Sequence, residues 1–363
     1  MRVIISGGGT GGHVFPALAI AEALKKKVPG VKIMFVGARG KLEMEKVPKA
    51  GYPIEGLWIS GLDRKLTKRN LLFPLKLVNS LWRSRKIIKR FKPDVAIGVG
   101  GYASGPLLHQ AASMGIPTLI QEQNSYAGIT NKLLAKKVTK VCVAYEGMEK
   151  FFPAEKIVLT GNPVRKEIYQ EPKDKNEARK SLELDPGNKT ILLFGGSLGA
   201  RTLNDAIESQ ADLLLDNSDI NLIWQVGKLY YDEFSKSRLS KVSRVKILPF
   251  IEDMATAYAA ADLVVCRAGA LTISELQMVG KPSILVPSPN VAEDHQTKNA
   301  MALVEKKAAI LVKDTAARKL LVPTFLELVK EEDELNVLTQ NIEKMQQKDA
   351  AIKIAEEILK LTD

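Results

Sequence analysis

The chain is poor in the residues that mark metal-binding or disulfide-bonded proteins. It has two cysteines and three histidines in 363 residues, and Cys142 and Cys266 show no metal-ligand spacing. Each lies in an apolar run typical of a strand, so we expect buried free thiols. The sequence has no Asp-x-Asp pair and no set of histidine and carboxylate ligands, so we expect that no metal and no other cofactor is required.

Long apolar runs are absent too. No segment reaches the roughly 20 apolar residues that cross a bilayer, and a strand begins at Arg2 with no signal peptide before it. We therefore expect a cytoplasmic chain. Its 45% apolar and 26% charged residues are typical of a globular protein, and its length suits two domains.

Acidic residues are scarce in the basic stretch from 61 to 92, which holds eleven Lys or Arg and one acid, Asp63. Such a field favours a polyanionic partner, either nucleic acid or anionic lipid. Aliphatic residues between the cations favour an interfacial membrane helix. An ordinary amphipathic helix packed on a sheet is equally compatible with the pattern. The membrane hypothesis assigns contact with lipid to Leu72, Phe73, Leu75 and Trp82.

Glycine is abundant where turns are expected. Five of the six positions from 7 to 12, leaving out Thr10, are glycine, and they lie between the apolar run Val3–Ile5 and a helical pattern over 15–27. Such a turn lets the backbone approach a bound group, while the following helix directs N–H donors towards it. A second strand, glycine turn and helix begins at 191 and includes Gly195–Ala200. The pattern predicts an anion site in each half, and a tight turn without a ligand is the alternative.

Strand-like and helical segments alternate along the chain. Continuous Val, Ile and Leu runs predict strands covered on both faces, hence two doubly wound α/β domains that bind ligands beyond the carboxyl ends of the strands. The junction falls in Gly161–Arg165, which predicts domains over 1–163 and 164–346. The apolar periodicity of the last segment predicts a helix within 347–363 that docks on the first domain. The predicted strands lie near 2–6, 32–36, 94–99, 117–121, 138–143, 157–160, 190–194, 220–226, 244–248, 262–266, 283–286 and 309–312.

Three further clusters follow predicted strands. A third glycine turn lies in Gly98–Pro106. Four polar residues, Gln121–Asn124, follow the next strand, where we expect them to line a ligand crevice, with capping of a turn as the alternative. In the third cluster, Cys266–Glu275, the carboxylate of Glu275 is about one turn into a helix, where it could accept two hydrogen bonds from a ribose diol. A partner for the helix dipole is the alternative.

Seven motifs in this order carry a resemblance that covers nearly the whole chain: GGGTGGHVFPALAIAEAL, GVGGYASGP, QEQN, GNPVR, GGSLGAR, CRAGALTISE and DHQTKNA. Together they closely resemble the MurG family of N-acetylglucosaminyltransferases, in glycosyltransferase family 28 with the GT-B fold. The resemblance implies two Rossmann-like domains that face each other across a cleft. It also implies inverting transfer of N-acetylglucosamine from UDP-GlcNAc to the C4 hydroxyl of undecaprenyl-diphospho-N-acetylmuramoyl-pentapeptide (lipid I to lipid II) in peptidoglycan synthesis.

The resemblance also implies roles for single residues. In the second domain, Ile251 would meet uracil and Glu275 the ribose. Arg165 would reach the nucleotide sugar, and Gln296 and Asn124 would bind the sugar from opposite domains. The diphosphate would meet Ser197 and the turn formed by Ala270, Leu271, Thr272, Ile273 and Ser274. Thr10, Gly11 and Gly12 would close over the donor, and Gly100, Gly101 and Tyr102 would receive the acceptor. Two positions where the family often has Gln are Leu198 and Thr297 here.

The reaction needs a base for the acceptor hydroxyl and positive charge for the leaving diphosphate. His13 is the favoured base because imidazole exchanges protons near neutral pH, and Glu122 is the second candidate. Helix N-termini behind Ser197 and Ala270, with Arg165, could meet the leaving-group charge without a metal.

Three other functions remain open at this stage. Gly7, Gly9 and Gly12 match a dinucleotide fingerprint, but the second strand ends in Val36–Arg39 without the acid that a nicotinamide oxidoreductase uses, and Arg39 leaves NADP open. A basic binding protein without catalysis is a second alternative, and transfer to another lipid such as diacylglycerol is a third.

The expected partners are UDP-GlcNAc, lipid I, an anionic membrane surface and cell-wall synthesis proteins, without nucleic acid. The expected location is the cytoplasmic face of the cell membrane, as a peripheral protein.

Overall fold

The computed structural model describes residues 1–61, 71–169, 173–196, 198–291 and 294–362. The chain divides into two compact units. Unit 1 comprises Met1–Val164 and Gln347–Asp363, and unit 2 comprises Arg165–Gln346. The boundary inferred from the sequence, after residue 163, lies one residue earlier.

Unit 1 is built on a parallel sheet whose strand order, within the described residues, is β3-β2-β1-β4-β5-β6-β7. Its strands are β1 Arg2–Ser6, β2 Lys32–Ala38, β3 Ile54–Leu57, β4 Val95–Gly98, β5 Thr118–Glu122, β6 Lys140–Val143 and β7 Ile157–Leu159. Its helices before residue 164 include α1 Gly11–Lys27, α2 Glu43–Lys49, α3 Phe73–Phe91, α4 Ser104–Ser113 and α5 Ile129–Leu134, with short 3-10 turns at Met148–Lys150 and Ala154–Lys156.

Unit 2 repeats the plan with the parallel order β10-β9-β8-β11-β12-β13 within its described residues. Its strands are β8 Lys189–Phe194, β9 Ile220–Gln225, β10 Val245–Leu248, β11 Leu263–Cys266, β12 Ser283–Leu285 and β13 Ile310–Leu311. Its helices include α6 Lys175–Ser181, α7 Arg201–Ser209, α8 Ala211–Asp216, α9 Tyr231–Phe234, α10 Met254–Ala260, α11 Ala270–Val279, α12 His295–Val304, α13 Asp314–Leu328 and α14 Glu332–Glu343, with 3-10 turns at Lys166–Ile168 and Arg238–Lys241.

The last helix, α15 Ala350–Leu359, belongs to unit 1. Its apolar residues Ile354, Ala355 and Ile358 are fully buried in a core that also holds residues of α1 and β1. Lys27 of α1 adds an ion pair to Glu356 at 2.8 Å. The C-terminal helix therefore covers one face of the first sheet.

The sheets confirm two doubly wound α/β domains. The continuous apolar strands are buried on both faces, as β11 and β8 show, and Cys142 and Cys266 are buried free thiols as expected. The cleft between the domains stays a prediction. Sequence analysis missed β3, Ile54–Leu57, because this edge strand is four residues long, half-buried at its start and interrupted by Gly56.

Candidate functional site

The first site region lies at the carboxyl ends of β1 and β4, where the strand order of unit 1 reverses. The glycine turn behind β1 and the turn behind β4 are in direct backbone contact. A Cβ on Gly101, whose φ is +86°, would lie 2.3 Å from the carbonyl oxygen of Gly8. Ser104 adds a link, since its hydroxyl lies 2.8 Å from the carbonyl oxygens of both Ser6 and Gly100. Two motifs that begin 91 residues apart, at Gly7 and Gly98, therefore form one backbone surface.

A buried carboxylate holds the first turn from behind. Glu43, the first residue of α2, is fully buried, and its oxygens accept hydrogen bonds from the backbone N–H groups of Gly9 and Ala38, each at 2.8 Å. A Cβ on Gly8 would lie 2.1 Å from its carboxyl carbon, and one on Gly37 would lie 2.4 Å from its Cγ. Sequence analysis missed Glu43. The signal was Gly37, a glycine within β2 that marks the close approach of another group.

His13 lies between the two turns. Its Nδ1 is 3.1 Å from the carbonyl oxygen of Gly8. Because a carbonyl can only accept a hydrogen bond, the proton is on Nδ1 and Nε2 is the basic nitrogen. A Cβ on Gly100 would lie 2.7 Å from Nε2, so the ring packs against the second turn.

Thr10, Gly11 and Gly12 form the start of α1. The carbonyl of Thr10 accepts hydrogen bonds from the N–H groups of His13 and Val14 at 3.1 and 3.2 Å. The N–H groups of Gly11 and Gly12 precede these first helical bonds, so they belong to the donors that a helix start presents to an anion. The threonine side chain does not cap the helix.

Glu122 is buried at the end of β5 and shapes the loop that follows. It accepts hydrogen bonds from the backbone N–H groups of Asn124 and Gly128, both at 3.0 Å, and from the side-chain amides of Asn124 and Asn131 at 3.2 and 2.8 Å. These four bonds occupy both carboxylate oxygens. They favour His13 over Glu122 as the base and give Glu122 the task of positioning Asn124.

A buried amide network connects this loop to its neighbours. Gln123 donates to the carbonyl of Val99 at 2.9 Å, Gln121 donates to Asn162 at 2.8 Å, and Asn162 donates to the carbonyl of Gln123 at 2.9 Å. The QEQN and GNPVR motifs therefore meet in unit 1. Gln123 holds the backbone at Val99 and Gln121 holds the side chain of Asn162, whereas the sequence pattern led us to expect all four polar residues to line a crevice.

Tyr102, assigned to the acceptor, is half-exposed beside the second glycine turn. Its ring packs on Gly61, where an added Cβ would lie 2.3 Å from Cζ of the tyrosine. The ring is therefore presented at the surface of unit 1 and supported from below by backbone.

Unit 2 has its own reversal of strand order, between β8 and β11. The glycine turn behind β8 packs against the turn behind β9, because a Cβ on Gly199 (φ +80°) would lie 2.1 Å from the carbonyl oxygen of Val226. Leu198 is exposed in this turn. Ser197, expected at the diphosphate, lies outside the described residues.

Gln225, at the end of β9, connects two segments that are predicted to contact UDP-GlcNAc. Its Nε2 donates to the carbonyl of Gly196 at 2.9 Å, and its Oε1 accepts from the N–H of Ile251 at 2.9 Å. The side chain is buried. The backbone of Ile251 and the glycine turn are thus positioned by one amide that sequence analysis did not single out.

Glu275, expected at the ribose, is held by two residues of unit 2. The hydroxyl of Tyr258 donates to its Oε2 at 3.1 Å, and Nη2 of Arg165 lies 3.7 Å from its Oε1. Burial raises the pKa of Glu275, while Arg165 and Tyr258 oppose that shift. Burial likewise raises the pKa of Tyr258 well above its ordinary value, so this hydroxyl stays a donor. The structure therefore brings Arg165 and Glu275 together and adds Tyr258.

The five residues expected at the diphosphate, Ala270 to Ser274, lie at the start of α11. Ala270, Leu271 and Thr272 occupy the first turn, whose N–H groups lack partners within a helix. The N–H of Ile273 already donates to the carbonyl of Gly269 at 3.0 Å, and its side chain is fully buried. The hydroxyl of Ser274 donates to the carbonyl of Ala270 at 3.0 Å. Ile273 and Ser274 therefore bond within the helix, and diphosphate binding by the N–H groups of the first three residues stays a prediction.

Gln296 lies in the first turn of α12. Its Oε1 accepts a hydrogen bond from the N–H of Ser288 at 2.8 Å. This bond fixes the carbonyl end of the amide and orients the NH2 end as a donor, and a sugar hydroxyl can accept such a hydrogen bond.

Helix α3 has one buried and one exposed apolar face. Phe73 and Leu77 pack against the core, whereas Leu75, Val78 and Trp82 are 62%, 66% and 64% exposed. We call these three residues the exposed stripe. Leu72 is also exposed, at 45%. The interpretation as an amphipathic helix packed on a sheet is therefore confirmed, and the membrane interpretation stays a prediction. Phe73, one of the predicted lipid contacts, packs against the core. Four of the eleven cations, Arg64, Lys65, Lys68 and Arg69, lie outside the described residues.

No helix of the described residues combines the length and apolarity needed to span a bilayer. No group of three or more His, Cys, Asp or Glu side chains in the same residues is arranged to hold a metal ion.

Two doubly wound units with glycine turns at their strand-order reversals define a nucleotide-binding α/β protein. Residues 3–143 match the glycosyltransferase family 28 N-terminal domain, and residues 190–356 match the family's C-terminal domain. The chain belongs to glycosyltransferase family 28.

Close relatives span the whole chain. A protein of Parabacteroides distasonis is 56% identical over 363 residues, which cover 100% of this chain and 98% of the relative. One of Bacteroides fragilis is 54% identical over 99% of this chain and 96% of its own length. Both are named UDP-N-acetylglucosamine–N-acetylmuramyl-(pentapeptide) pyrophosphoryl-undecaprenol N-acetylglucosamine transferase. The crystal structure of MurG from Acinetobacter baumannii matches with a TM-score of 0.77 and 30% identity over 99% of each chain.

Family membership shows that the chain is a glycosyltransferase, so the oxidoreductase and non-catalytic alternatives are wrong. The structure gives a reason for the misleading glycine fingerprint. A dinucleotide site uses a carboxylate at the end of the second strand to bind the ribose. The carboxylate next to the end of β2 is that of Glu43, which is buried and accepts a hydrogen bond from the glycine turn instead. Arg39 is also engaged, donating from Nε to the carbonyl of Gly56 at 3.2 Å.

Proposed function

We propose that this protein transfers N-acetylglucosamine from UDP-GlcNAc to the C4 hydroxyl of undecaprenyl-diphospho-N-acetylmuramoyl-pentapeptide, with inversion, converting lipid I to lipid II. The observation that carries the proposal is the carboxylate of Glu275. Tyr258 and Arg165 orient it near the reversal of strand order in unit 2. The relatives that match over the whole chain carry the name of this activity.

Unit 2 binds the donor in this proposal. The backbone of Ile251 contacts uracil, Glu275 accepts from the ribose hydroxyls, and the first turn of α11 with Ser197 meets the diphosphate. Arg165 lies beside Glu275 and extends towards the nucleotide sugar. Gln296 and Asn124 bind the sugar, while Thr10, Gly11 and Gly12 close over the donor. Three N–H donors at a helix start and a guanidinium together match the charge of a diphosphate.

His13 supplies the base. Its Nε2 takes the proton of the C4 hydroxyl as the oxygen attacks the anomeric carbon, on the face opposite the UDP. The bond from the anomeric carbon to the diphosphate oxygen breaks, and UDP leaves with the bonding pair. Helix N-termini and Arg165 neutralise the charge that develops on the leaving group. Gly100, Gly101 and Tyr102 receive the acceptor and its diphosphate.

The acceptor is anchored in a membrane, so we further propose that α3 brings the protein to the cytoplasmic face of the cell membrane. The exposed stripe is flanked by cations, with Nζ of Lys86 lying 5.5 Å from the centroid of the Trp82 ring. An apolar face with Trp and neighbouring lysines suits the interface of an anionic leaflet. Cell-wall synthesis proteins are the protein partners that such a location would bring within reach.

The test is transfer of labelled sugar from UDP-GlcNAc to a short-chain lipid I analogue. We expect a disaccharide product with the β configuration and release of one UDP per transfer. His13→Gln should abolish turnover, whereas His109→Gln, on helix α4, is the matched control and should retain it. Turnover with diacylglycerol but not with the lipid I analogue, or full activity of the His13 variant, would contradict the proposal.

A further inference from the structure

We propose that Glu43 is a positioning residue for the base and acts on His13 through a single peptide group. The catalytic consequence rests on the proposed function, while the geometry does not. The carboxylate accepts a hydrogen bond from the N–H of Gly9 at 2.8 Å, and His13 Nδ1 donates to the carbonyl of Gly8 at 3.1 Å. That N–H and that carbonyl belong to the same planar peptide unit.

The peptide group between Gly8 and Gly9 is therefore fixed at both ends. Its N–H side faces a carboxylate and its C=O side faces an imidazole. The other oxygen of Glu43 is tied to the N–H of Ala38 at the end of β2, also at 2.8 Å. The carboxylate is thus anchored to the sheet, and through the peptide it determines where the carbonyl of Gly8 points.

The orientation of this carbonyl decides which nitrogen of His13 is basic. While the carbonyl accepts from Nδ1, the proton stays on Nδ1 and Nε2 carries the lone pair. If the peptide rotated, an N–H would face the ring, Nδ1 would become the acceptor, and the proton would move to Nε2. A base in that tautomer could not take the acceptor proton with Nε2.

Charge adds to orientation. Glu43 is fully buried, and among the described residues no cation lies within ion-pair distance of its carboxylate. A carboxylate that polarises the N–H makes the carbonyl of the same peptide a stronger acceptor. The carbonyl then stabilises the imidazolium that forms when Nε2 takes a proton. Glu43 and the peptide together do for His13 what a directly bonded carboxylate does in other histidine bases.

Glutamate at position 43 cannot be replaced by its amide without cost. Both carboxylate oxygens accept from backbone N–H groups. Glu43→Gln places an NH2 against one of these two donors. The variant keeps the size and shape of the side chain, so it tests hydrogen bonding and charge and not packing.

The matched control is Glu45→Gln. Glu45 lies in the same helix, its side chain is 58% exposed, and it pairs with Lys49 at 2.8 Å. This substitution removes the same charge from α2 at an exposed position of the helix. We expect wild-type kcat and wild-type histidine spectra for the control.

The direct readout is the tautomer of His13, measured by two-bond 15N–1H correlation on protein labelled at its three histidines. The His13 signals are assigned by their loss in His13→Gln. We expect a single Nδ1–H tautomer in the wild type and a mixture with Nε2–H in Glu43→Gln. For this variant we also expect kcat to fall about 10- to 100-fold, with the Kd for UDP-GlcNAc changed by less than about threefold.

The two proposals fail in different ways. An Nε2–H tautomer in the wild-type protein would overturn the positioning role, and this measurement needs no variant to fold and no turnover. Unchanged tautomer and unchanged kcat in a folded Glu43→Gln would overturn it too. The expected tautomers in a protein that transfers no sugar to lipid I would support the positioning geometry and contradict the proposed function.

Discussion

Gln225 accepts a hydrogen bond from the backbone N–H of Ile251 at 2.9 Å, and its amide group also donates to Gly196. One side chain thus sets the separation between the backbone expected at uracil and the turn expected at the diphosphate. In Gln225→Leu both backbone groups lose their partner. We expect the affinity for UDP-GlcNAc, measured by titration calorimetry, to fall at least tenfold, about 1.4 kcal/mol. Gln340→Leu, at an exposed residue, is the control. Equal affinities of the two variants would contradict this role of Gln225.

Removal of the Tyr258 hydroxyl tests how Glu275 is held. Tyr258→Phe leaves the ring in the core but deletes the donor to Oε2 of Glu275. A hydrogen bond to a charged group contributes about 1.5 kcal/mol or more. The affinity for UDP-GlcNAc should therefore fall about tenfold, while kcat at saturating UDP-GlcNAc stays near wild type. Tyr231→Phe removes a hydroxyl from a more exposed residue of unit 2 and should change neither. A loss of kcat without a loss of affinity would assign Tyr258 a different role.

The affinity for UDP-GlcNAc should depend on pH through Glu275. Burial raises the pKa of this carboxyl, with Arg165 and Tyr258 opposing the shift, and only the ionised form accepts both ribose hydroxyls. As the pH falls through this raised pKa, Glu275 gains a proton and affinity declines, beginning at a higher pH than for an ordinary carboxyl. Both phosphates of the donor are diesters and stay ionised there. Glu275→Gln should bind weakly at every pH without this decline, and a decline of equal size in both proteins would place the titrating group elsewhere.

Gly101 and Gly115 form a matched pair for the contact between the glycine turns of unit 1. Both have positive φ, +86° and +74°, but an added Cβ meets the carbonyl oxygen of Gly8 at 2.3 Å in the first case and nothing within 4 Å in the second. Gly115→Ala should cost only the backbone strain, about 1–2 kcal/mol of unfolding free energy. Gly101→Ala should cost more and should also reduce turnover, because Gly8 must move. Equal unfolding free energies from chemical denaturation would show that the two turns can separate freely.

The exposed stripe can be tested without disturbing the core. Leu75→Ser, Val78→Ser and Trp82→Ser combined should abolish binding to anionic vesicles in a flotation assay, with little change in the melting temperature. Leu320→Ser, at a residue of unit 2 that is 53% exposed, is the control. Binding of the wild type should weaken with added salt, since cations near the stripe contribute about 1 kcal/mol each at an anionic surface. Vesicle binding by the triple variant equal to that of the wild type would refute a role of the stripe.

The sequence is informative where the physical cause is local. Strands β8 and β11 were predictable because they are continuous apolar runs. The turns around Gly9 and Gly101 were predictable because closely spaced glycines disfavour both helix and strand. The positions of His13 behind a glycine turn and of Glu275 about one turn into a helix were predictable, and their functional roles stay predictions.

The positioning residues were not predictable in the same way. Glu43, Gln225 and Tyr258 act on groups 34, 26 and 17 residues away in the chain. A side chain that reaches the backbone or carboxylate of another loop leaves no periodic pattern at its own position. Its only trace is at the receiving end, as with Gly37, where a glycine in a strand marks the space that Glu43 fills.

The return of the chain to unit 1 at Gln347 has a consequence for biosynthesis. Unit 2 is one uninterrupted segment, so it can fold as soon as it has left the ribosome. Unit 1 cannot complete its core until the last helix has been synthesised, because Ile354, Ala355 and Ile358 pack in the core around α1. Unit 1 is therefore translated first but completes its folding last. Premature termination anywhere before α15 leaves the N-terminal residues of unit 1 exposed to proteases.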